Sequence, residues 1–351
     1  MKIRVVAVVL LCLLLSGCAD IFDGYYSSIK PHEAQNAPLD NKDVTASDFS
    51  QLYSALASFV ESGRTEGVIN VDQYDRARIE QDVSRAVTEI CRRHPIAAYA
   101  VEKIEYELGK SGGQTALDVD VVYTHSRAEI LQIKHVDGMD EAMELIHSAL
   151  GKCEADLVLL VRDYEETDLV QAIENYGLEY PQFVMEQPQV TANVYPKTGV
   201  NRVVELRFAY QTSRDSLRVM QDQVRPVFES AMLYVSGDGA DREKFSQLYS
   251  FLMERYDYQI TGSITPTYSL LRHGVGDSKA FASVYAAMCR QAGLECMVVS
   301  GAHNAESWHW NIICDNGVYY HVNLLEGVFR MRTDEQMTDF VWDYSTYPPC
   351  G

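Results

Sequence analysis

A serine, two histidines and an asparagine in the last third of the chain could together carry out nucleophilic catalysis. Ser278 follows Asp277 at the predicted start of a helix, where unpaired backbone N–H groups and the helix dipole stabilise a nucleophilic anion. His309 and His321 could act as general bases, and Asn323 could orient one of them. Because a serine lacks the low pKa of a thiol, it would need a well-placed base to attack a substrate.

The elements around these residues are predicted to be a helix followed by an antiparallel sheet. Asp277 is a candidate N-cap, apolar residues recur at helical spacing as far as Gln291, and Gly293 ends the helix. The segment from Cys296 to Ser300 is typical of a buried strand. Asn316 and the glycine after it, between two apolar runs, predict a tight hairpin.

Strand alternation decides which side chains share a face of this sheet. A two-residue hairpin loop places one set on one face: Trp308, Trp310, Ile312, Cys314, Tyr319, His321 and Asn323. His309 then points to the other face with Leu324, so we expect it to lie away from the site unless a β-bulge reverses the alternation. We expect His321 to make one structural hydrogen bond.

Three short motifs in this region resemble the transglutaminase-like superfamily. They are Gly276-Asp277-Ser278, Trp308-His309-Trp310-Asn311 and Tyr319-Tyr320-His321-Val322-Asn323. The papain-like core of that family has Gly-x-Cys at a helix start, His-Ala-Trp-Asn on one strand and Trp-Tyr-x-Val-Asp on the next. The resemblance implies that Ser278 replaces the nucleophilic cysteine, Trp308 the catalytic histidine and Asn323 the orienting aspartate. Other positions still match the family's structural pattern: Gly301, Trp310, Asn311 and Tyr320.

The replaced triad favours a non-catalytic binding or scaffold protein with a cell-surface protein or peptide as its partner. In a second hypothesis the protein is a hydrolase or acyl transferase acting on cell-surface peptides or proteins through Ser278, with His309 or His321 as base. In a third, the last domain only caps the rest of the chain. Trp308 and Trp310 could line a groove for a sugar or peptide, although packing against the Ser278 helix is the commoner role of such a pair.

The N-terminus resembles a bacterial lipoprotein signal. Residues 1–17 carry Lys2 and Arg4, an apolar run from Val5 to Leu15, and a short sequence that ends in Cys18. The resemblance implies cleavage before Cys18 and lipidation of that residue. The apolar run is too short to span a bilayer. We therefore predict a lipid-anchored protein on the extracytoplasmic face of the cell membrane, with residues 18–46 as a tether.

The 351-residue chain has a formal net charge of −20, and 47% of its residues are hydrophobic. The acidic balance argues against a nucleic-acid partner. The hydrophobic share is typical of a globular protein. The length allows two or three domains.

Two similar stretches precede the last domain. Pro95 and Pro181 are 86 positions apart, and Ser126 and Ser213 are 87 apart, with helices and strand pairs in the same order around them. This order predicts an internal duplication. We predict an α+β protein with two repeated α+β modules (47–153 and 154–239) before a papain-like, transglutaminase-like domain (240–351), in which a helix packs on an antiparallel sheet.

Several other polar features have plain structural explanations. Ser126 and Ser213 are expected to cap helices, with Arg127 and Arg214 solvated in the first turns. The acidic run from Asp163 to Asp168 suits a helix start. No cysteine and histidine spacing suits zinc, so we predict no metal and no cofactor. Six cysteines after Cys18 are expected to be free thiols, with one bridge open between neighbouring strands: Cys91, Cys153, Cys289, Cys296, Cys314 and Cys350.

Overall fold

The computed structural model describes residues 44–351. The predicted signal peptide (1–17), Cys18 and residues 18–43 of the predicted tether lie outside these described residues. Residues 44–351 form one compact unit. Within that unit, no helix combines the length and the apolar character needed to cross a membrane.

The first sheet has four strands and one parallel pair. The strands are β1 (Val44–Thr45), β2 (Glu66–Asn70), β3 (Val101–Ser111) and β4 (Gln114–Tyr123). The helices are α1 (Phe49–Glu61), α2 (Ile79–Arg93), α3 (Pro95–Ala100) and α4 (Arg127–Leu131). The strand order is β1-β2-β4-β3, with β1 parallel to β2 and the other pairs antiparallel. Val44 and Thr45, at the end of the predicted tether, therefore belong to the sheet.

The second sheet repeats this arrangement. Its strands are β5 (Lys134–Val136), β6 (Asp156–Val161), β7 (Gln189–Tyr195) and β8 (Arg202–Ala209). Its helices are α5 (Met139–Gly151), α6 (Leu169–Glu179) and α7 (Arg214–Met232). The order is β5-β6-β8-β7, again with only the first pair parallel. The predicted α+β class with two repeated modules is confirmed.

The second repeat begins earlier than the sequence pattern indicates. Its edge strand starts at Lys134, and α5 follows, so both elements precede residue 154. A parallel edge strand of three residues is too short to give a recognisable alternation. The repeated elements therefore start before residue 154, but whether a domain boundary lies between residues 153 and 154 stays a prediction.

One contact recurs at the same place in both repeats. Ser126 and Ser213 accept hydrogen bonds from helix N–H groups, as predicted for N-caps. Arg127 Nε donates to the carbonyl of Ser62 at 3.1 Å, and Arg214 Nε donates to the carbonyl of Lys152 at 2.9 Å. Arg214 is exposed, as predicted for a solvated residue, and Arg127 is half-buried. Each arginine also holds the carbonyl of the residue that ends a preceding helix, a contact that the sequence did not predict.

The C-terminal domain is built around one buried helix. Its helices are α8 (Asp241–Met253), α9 (Pro266–Tyr268) and α10 (Ser278–Gln291). Its strands are β9 (Asp257–Tyr258), β10 (Val275–Gly276), β11 (Cys296–His303), β12 (Glu306–Asp315), β13 (Val318–Val322) and β14 (Phe340–Val341). The antiparallel sheet has the order β13-β12-β11-β14. Eleven of the fourteen residues of α10 are buried, so the helix is enclosed and not merely laid on a surface.

The predicted hairpin is confirmed in position and register. Asn316 and Gly317 both have positive φ, 53° and 82°, as the tight turn requires. Asp315 pairs with Val318, and Ile312 pairs with His321.

The two faces of the C-terminal sheet bury different cores. The face that packs on α10, here called the helix face, contributes Cys296, Val298, Ile313 and Val322 to a core shared with that helix. The opposite face, here called the far face, forms a separate core from Val299, Trp310, Ile312, Met337, Phe340, Trp342 and Cys350. Cys296 lies opposite Ile313 on the helix face, whereas Cys314 belongs to the far face. A bridge between them is therefore excluded, and the six cysteines from Cys91 onward are free thiols.

Candidate functional site

Ser278 lies at the first position of α10, as the sequence predicts. Asp277 caps the helix by accepting a hydrogen bond from Ala280 N–H at 2.9 Å. The serine is only 7% exposed, and its Oγ accepts a hydrogen bond from the backbone N–H of His309 at 3.2 Å. The hydroxyl predicted to replace the family's nucleophilic thiol is thus held against the backbone of β12.

The prediction that His309 lies away from the site is wrong. Alternation along β12 is as predicted, but the face that carries His309 is the helix face. The next helix-face residue, Asn311, shows this directly, because its Nδ2 donates to the carbonyl of Ala282 in α10 at 2.9 Å. Alternation groups side chains without telling which group meets the helix.

The environment of the His309 ring makes it a poor base. Burial, and then the charge of nearby Lys279, lower its pKa to about 4, while Asp277 acts in the opposite direction. The ring is therefore neutral at pH 7 and binds a proton weakly. Among the described residues, no hydrogen bond joins the His309 ring to Ser278 Oγ.

Trp308 and Asn323, which are predicted to replace the family's histidine and aspartate, contact each other. Trp308 Nε1 donates to Asn323 Oδ1 at 3.3 Å, and the same oxygen lies 3.4 Å from the N–H of Leu325. The Trp308 ring lies beside those of Tyr258 and His303, with centroids 5.6 and 5.4 Å apart. An indole N–H only donates, so this pair cannot accept a proton from a nucleophile.

The two tryptophans do not form a shared groove. Trp310 is fully buried in the far-face core, where its ring packs against Phe340 and Trp342. The expectation that the pair packs against the Ser278 helix is also wrong, because Trp310 lies on the opposite side of the sheet. Trp308 alone keeps an exposed part.

His321 makes the structural hydrogen bond that the sequence predicts. Trp310 Nε1 donates to its Nδ1 at 2.9 Å, so the ring proton must sit on Nε2, which donates to Asp334 Oδ1 at 2.8 Å. Burial lowers the pKa of His321, and Asp334 opposes that shift. The ring is completely buried on the far face, so His321 cannot serve Ser278 as a base.

Asp334 and Cys350 complete this far-face network, and neither was singled out by sequence reasoning. Asp334 Oδ2 accepts from the backbone N–H of Cys350 at 3.1 Å. No local motif marks either residue, so a sequence signal was lacking. The metal-binding atoms of His321, Asp334 and Cys350 lie within 4.8 Å of one another.

The donor chemistry of these three residues does not suit a metal ion. His321 Nε2 carries a proton because Nδ1 accepts from an indole, so that nitrogen has no lone pair to offer. Burial, then the neighbouring Asp334, raises the pKa of the Cys350 thiol to about 12, whereas a metal binds the thiolate. The cluster fastens the segment around Cys350 to the sheet.

Five clefts in the described part of the chain are lined by other residues, and none of the five is lined by Ser278, Trp308 or Asn323. The three residues predicted to replace the family's triad therefore do not line any of these five cavities.

Residues 231–324 match the family model of the transglutaminase-like superfamily. The chain therefore contains a transglutaminase-like domain, as the motifs predict. No curated protein sequence matches the chain.

Solved structures with some likeness to the chain have low similarity scores. One is a TGase, with a TM-score of 0.28 and 9% identity, covering 49% of this chain and 51% of that one. A second is a candidate cysteine protease from Cytophaga hutchinsonii, with a TM-score of 0.26 and 10% identity, covering 41% of this chain and 65% of that one. A third is a candidate protease from Parabacteroides distasonis, with a TM-score of 0.25 and 11% identity, covering 62% and 35%.

Proposed function

We propose that this protein is a lipid-anchored, extracytoplasmic lipoprotein whose transglutaminase-like domain has lost its chemistry and serves as a binding or scaffold module. Its partner in this proposal is a cell-surface protein or peptide, and nucleic acid is disfavoured by the net charge of −20. The anchor is Cys18, after removal of residues 1–17.

The observation that carries this proposal is the pairing of groups at the triad positions. Acyl transfer needs a nucleophile with a base within hydrogen-bond reach. Here Ser278 Oγ is bonded to a backbone N–H, and Trp308 is bonded to Asn323. His321 donates a hydrogen bond to Asp334 on the far face. These contacts leave the serine without a competent base.

Restoring the family triad tests the proposal. The purified natural protein, Ser278→Ala, and a triple variant carrying Ser278→Cys, Trp308→His and Asn323→Asp would be compared in amine-incorporation and peptide-hydrolysis assays. We expect the natural protein and Ser278→Ala to give the same background rate, and the triple variant to turn over. Activity of the natural protein that Ser278→Ala abolishes would overturn the proposal.

The hydrolase or acyl transferase hypothesis keeps one specific support, which is the position of His309. It lies on the helix face beside Ser278 and next to Lys279 and Asp277. In that hypothesis His309 is the base, so His309→Gln and Ser278→Ala would each reduce turnover by about 100-fold or more. A natural protein whose rate does not respond to either change excludes it.

The lipid anchor has its own test. Cells expressing the natural protein or Cys18→Ala would be fed a labelled fatty acid, and the membrane and soluble fractions compared. We expect label and membrane association in the natural protein, and neither in the variant. Unchanged membrane association of an unlabelled Cys18→Ala protein would contradict the anchor.

A further inference from the structure

A cleft of about 230 Å³ lies between the second repeat and the first two turns of α10. The second repeat contributes the end of α6 and the segment from Pro181 to Gln187, and the C-terminal domain contributes Ser263 to Thr267 and one face of α10. Pockets for drug-sized ligands measure about 300–1,000 Å³. This cleft is therefore matched to a smaller molecule.

Two polar side chains of α10 in this cleft have no hydrogen-bond or ion-pair partner among residues 44–351. Lys279 and Ser283 are four positions apart, so they lie on the same side of the helix. Ser283 is 4% exposed, and its Oγ makes no hydrogen bond within residues 44–351. Lys279 is half-buried and makes no ion pair or hydrogen bond with any described residue. A buried hydroxyl without a partner lowers stability, and a bound acceptor would offset that loss.

Two carboxylates lie in the same lining. Glu186 is 3% exposed, and its oxygens accept from the N–H groups of Gln211 and Thr212 at 2.5 and 3.0 Å. Asp277 caps the helix through one oxygen. Carboxylate oxygens have further lone pairs, so both groups still attract a cation. The cleft thus offers two negative charges and one positive charge.

The remaining lining is apolar. Leu178, Val184 and Ile264 lie in it, so a short hydrocarbon side chain would be covered there. A ligand that meets all three features carries a carboxylate, an ammonium group and a small apolar body.

We propose that this cleft binds a small amino-acid-type zwitterion, with its carboxylate at Lys279 and Ser283 and its ammonium group toward Glu186 and Asp277. The site is formed jointly by the second repeat and the C-terminal domain, so occupancy ties the two together. The inference does not depend on whether Ser278 has activity, because Ser278 is not part of the lining.

Calorimetry on the full purified protein with three related probes tests the ligand chemistry. L-leucine has both charges, L-leucinamide lacks the carboxylate and N-acetyl-L-leucine lacks the ammonium group. We expect L-leucine to bind, and each of the other two to bind at least about tenfold more weakly, since a charge-assisted hydrogen bond is lost. Absence of L-leucine binding up to about 10 mM, or equal binding of either derivative, would overturn the proposal.

Matched variants locate the site. Lys279→Gln should weaken L-leucine binding about tenfold or more, and Ser283→Ala by several-fold. Lys244→Gln is the control, because Lys244 pairs with Asp241 on α8 and does not line the cleft. Thermal melting confirms that each variant is folded. Binding that survives Lys279→Gln unchanged would place the ligand elsewhere and refute the assignment.

Discussion

The two faces of the C-terminal sheet treat their polar side chains differently. On the far face, Trp310, His321 and Asp334 form a continuous hydrogen-bonded network in which both ring nitrogens of the histidine have a partner. On the helix face Asn311 Oδ1, and on the adjoining helix α10 Ser283 Oγ, are buried without a hydrogen bond in the described part of the chain. A fully hydrogen-bonded network is typical of a structural role, whereas buried polar groups without a partner are typical of a ligand-binding site.

The comparison separates the residue types on each face from the contacts that those residues make. The far face has the residue types of a catalytic site, a cysteine, a histidine and an aspartate, but all three are committed to holding the chain together. On the helix face, His309 lies beside Ser278 of α10, but among residues 44–351 no hydrogen bond joins the His309 ring to the serine hydroxyl. Residue types alone would favour the far face as the functional site, although the contacts of its residues are structural.

Removing the far-face tryptophan is expected to give the largest effect. Trp310 is 0% exposed, so Trp310→Ala should lower the free energy of unfolding by about 3–5 kcal/mol. Trp308→Ala is the matched control and should cost less than about 1.5 kcal/mol, because that ring is partly exposed. Urea denaturation measures both. If both variants lost the same free energy of unfolding, the far-face core would not be the main source of stability in this sheet.

Exchanging the two histidines for alanine compares the faces directly. His321→Ala leaves the Trp310 N–H buried without an acceptor and Asp334 without its donor, and we expect a loss of about 2–3 kcal/mol. His309→Ala breaks no side-chain hydrogen bond seen among residues 44–351 and should cost about 1 kcal/mol or less. A larger loss of unfolding free energy for His309→Ala than for His321→Ala would show that the helix-face histidine is the structural one.

The pKa of His309 should respond to its neighbour. We expect NMR titration to give a value of about 4 in the natural protein, and Lys279→Gln to raise it, since a nearby positive charge is removed while burial remains. Lys244→Gln should leave it unchanged.

The same low pKa makes stability depend on pH. The ordinary histidine value is 6.5, so between about pH 4 and 6.5 the unfolded chain binds more protons than the folded one, and stability falls as the pH is lowered through that window. His309→Gln should flatten this slope. A slope that is the same in the variant would mean that other groups cause it.

The smallest effect is expected from the unpartnered hydroxyl. Ser283→Ala removes a buried polar group that has no hydrogen bond to any residue from 44 to 351. Without ligand, the change should therefore be neutral or stabilise the protein by up to about 1 kcal/mol. Ser269→Ala is the control, because Ser269 Oγ donates to the carbonyl of Val275 at 3.1 Å and its loss should be destabilising. Clear destabilisation by Ser283→Ala would mean that its hydroxyl has a structural partner.

Local signals predicted the framework of the site. Asp277 as a cap, the extent of α10, the Asn316-Gly317 turn and the pairing of β12 with β13 all follow from neighbouring residues, and all are confirmed. The duplicated modules also followed from matching spacings along the chain.

Long-range packing could not be predicted in the same way. Which face of the sheet meets α10 depends on where the segment from Met337 to Cys350 folds, and no local pattern encodes that. The same reason explains why Asp334 was missed as a partner of His321. The Ser263–Thr267 segment and the second repeat meet α10 only in the folded chain, so the cleft beside Lys279 had no sequence signature.

The claim that Ser278 is not an activated nucleophile can be tested by its reactivity toward a serine-directed fluorophosphonate. Peptide mass spectrometry would measure the adduct on the native protein and on a heat-unfolded sample. We predict no adduct on Ser278 in either sample, while a known serine hydrolase in the same tube is fully labelled. An adduct on Ser278 in the native protein that disappears on unfolding would show an activated nucleophile and would contradict the account.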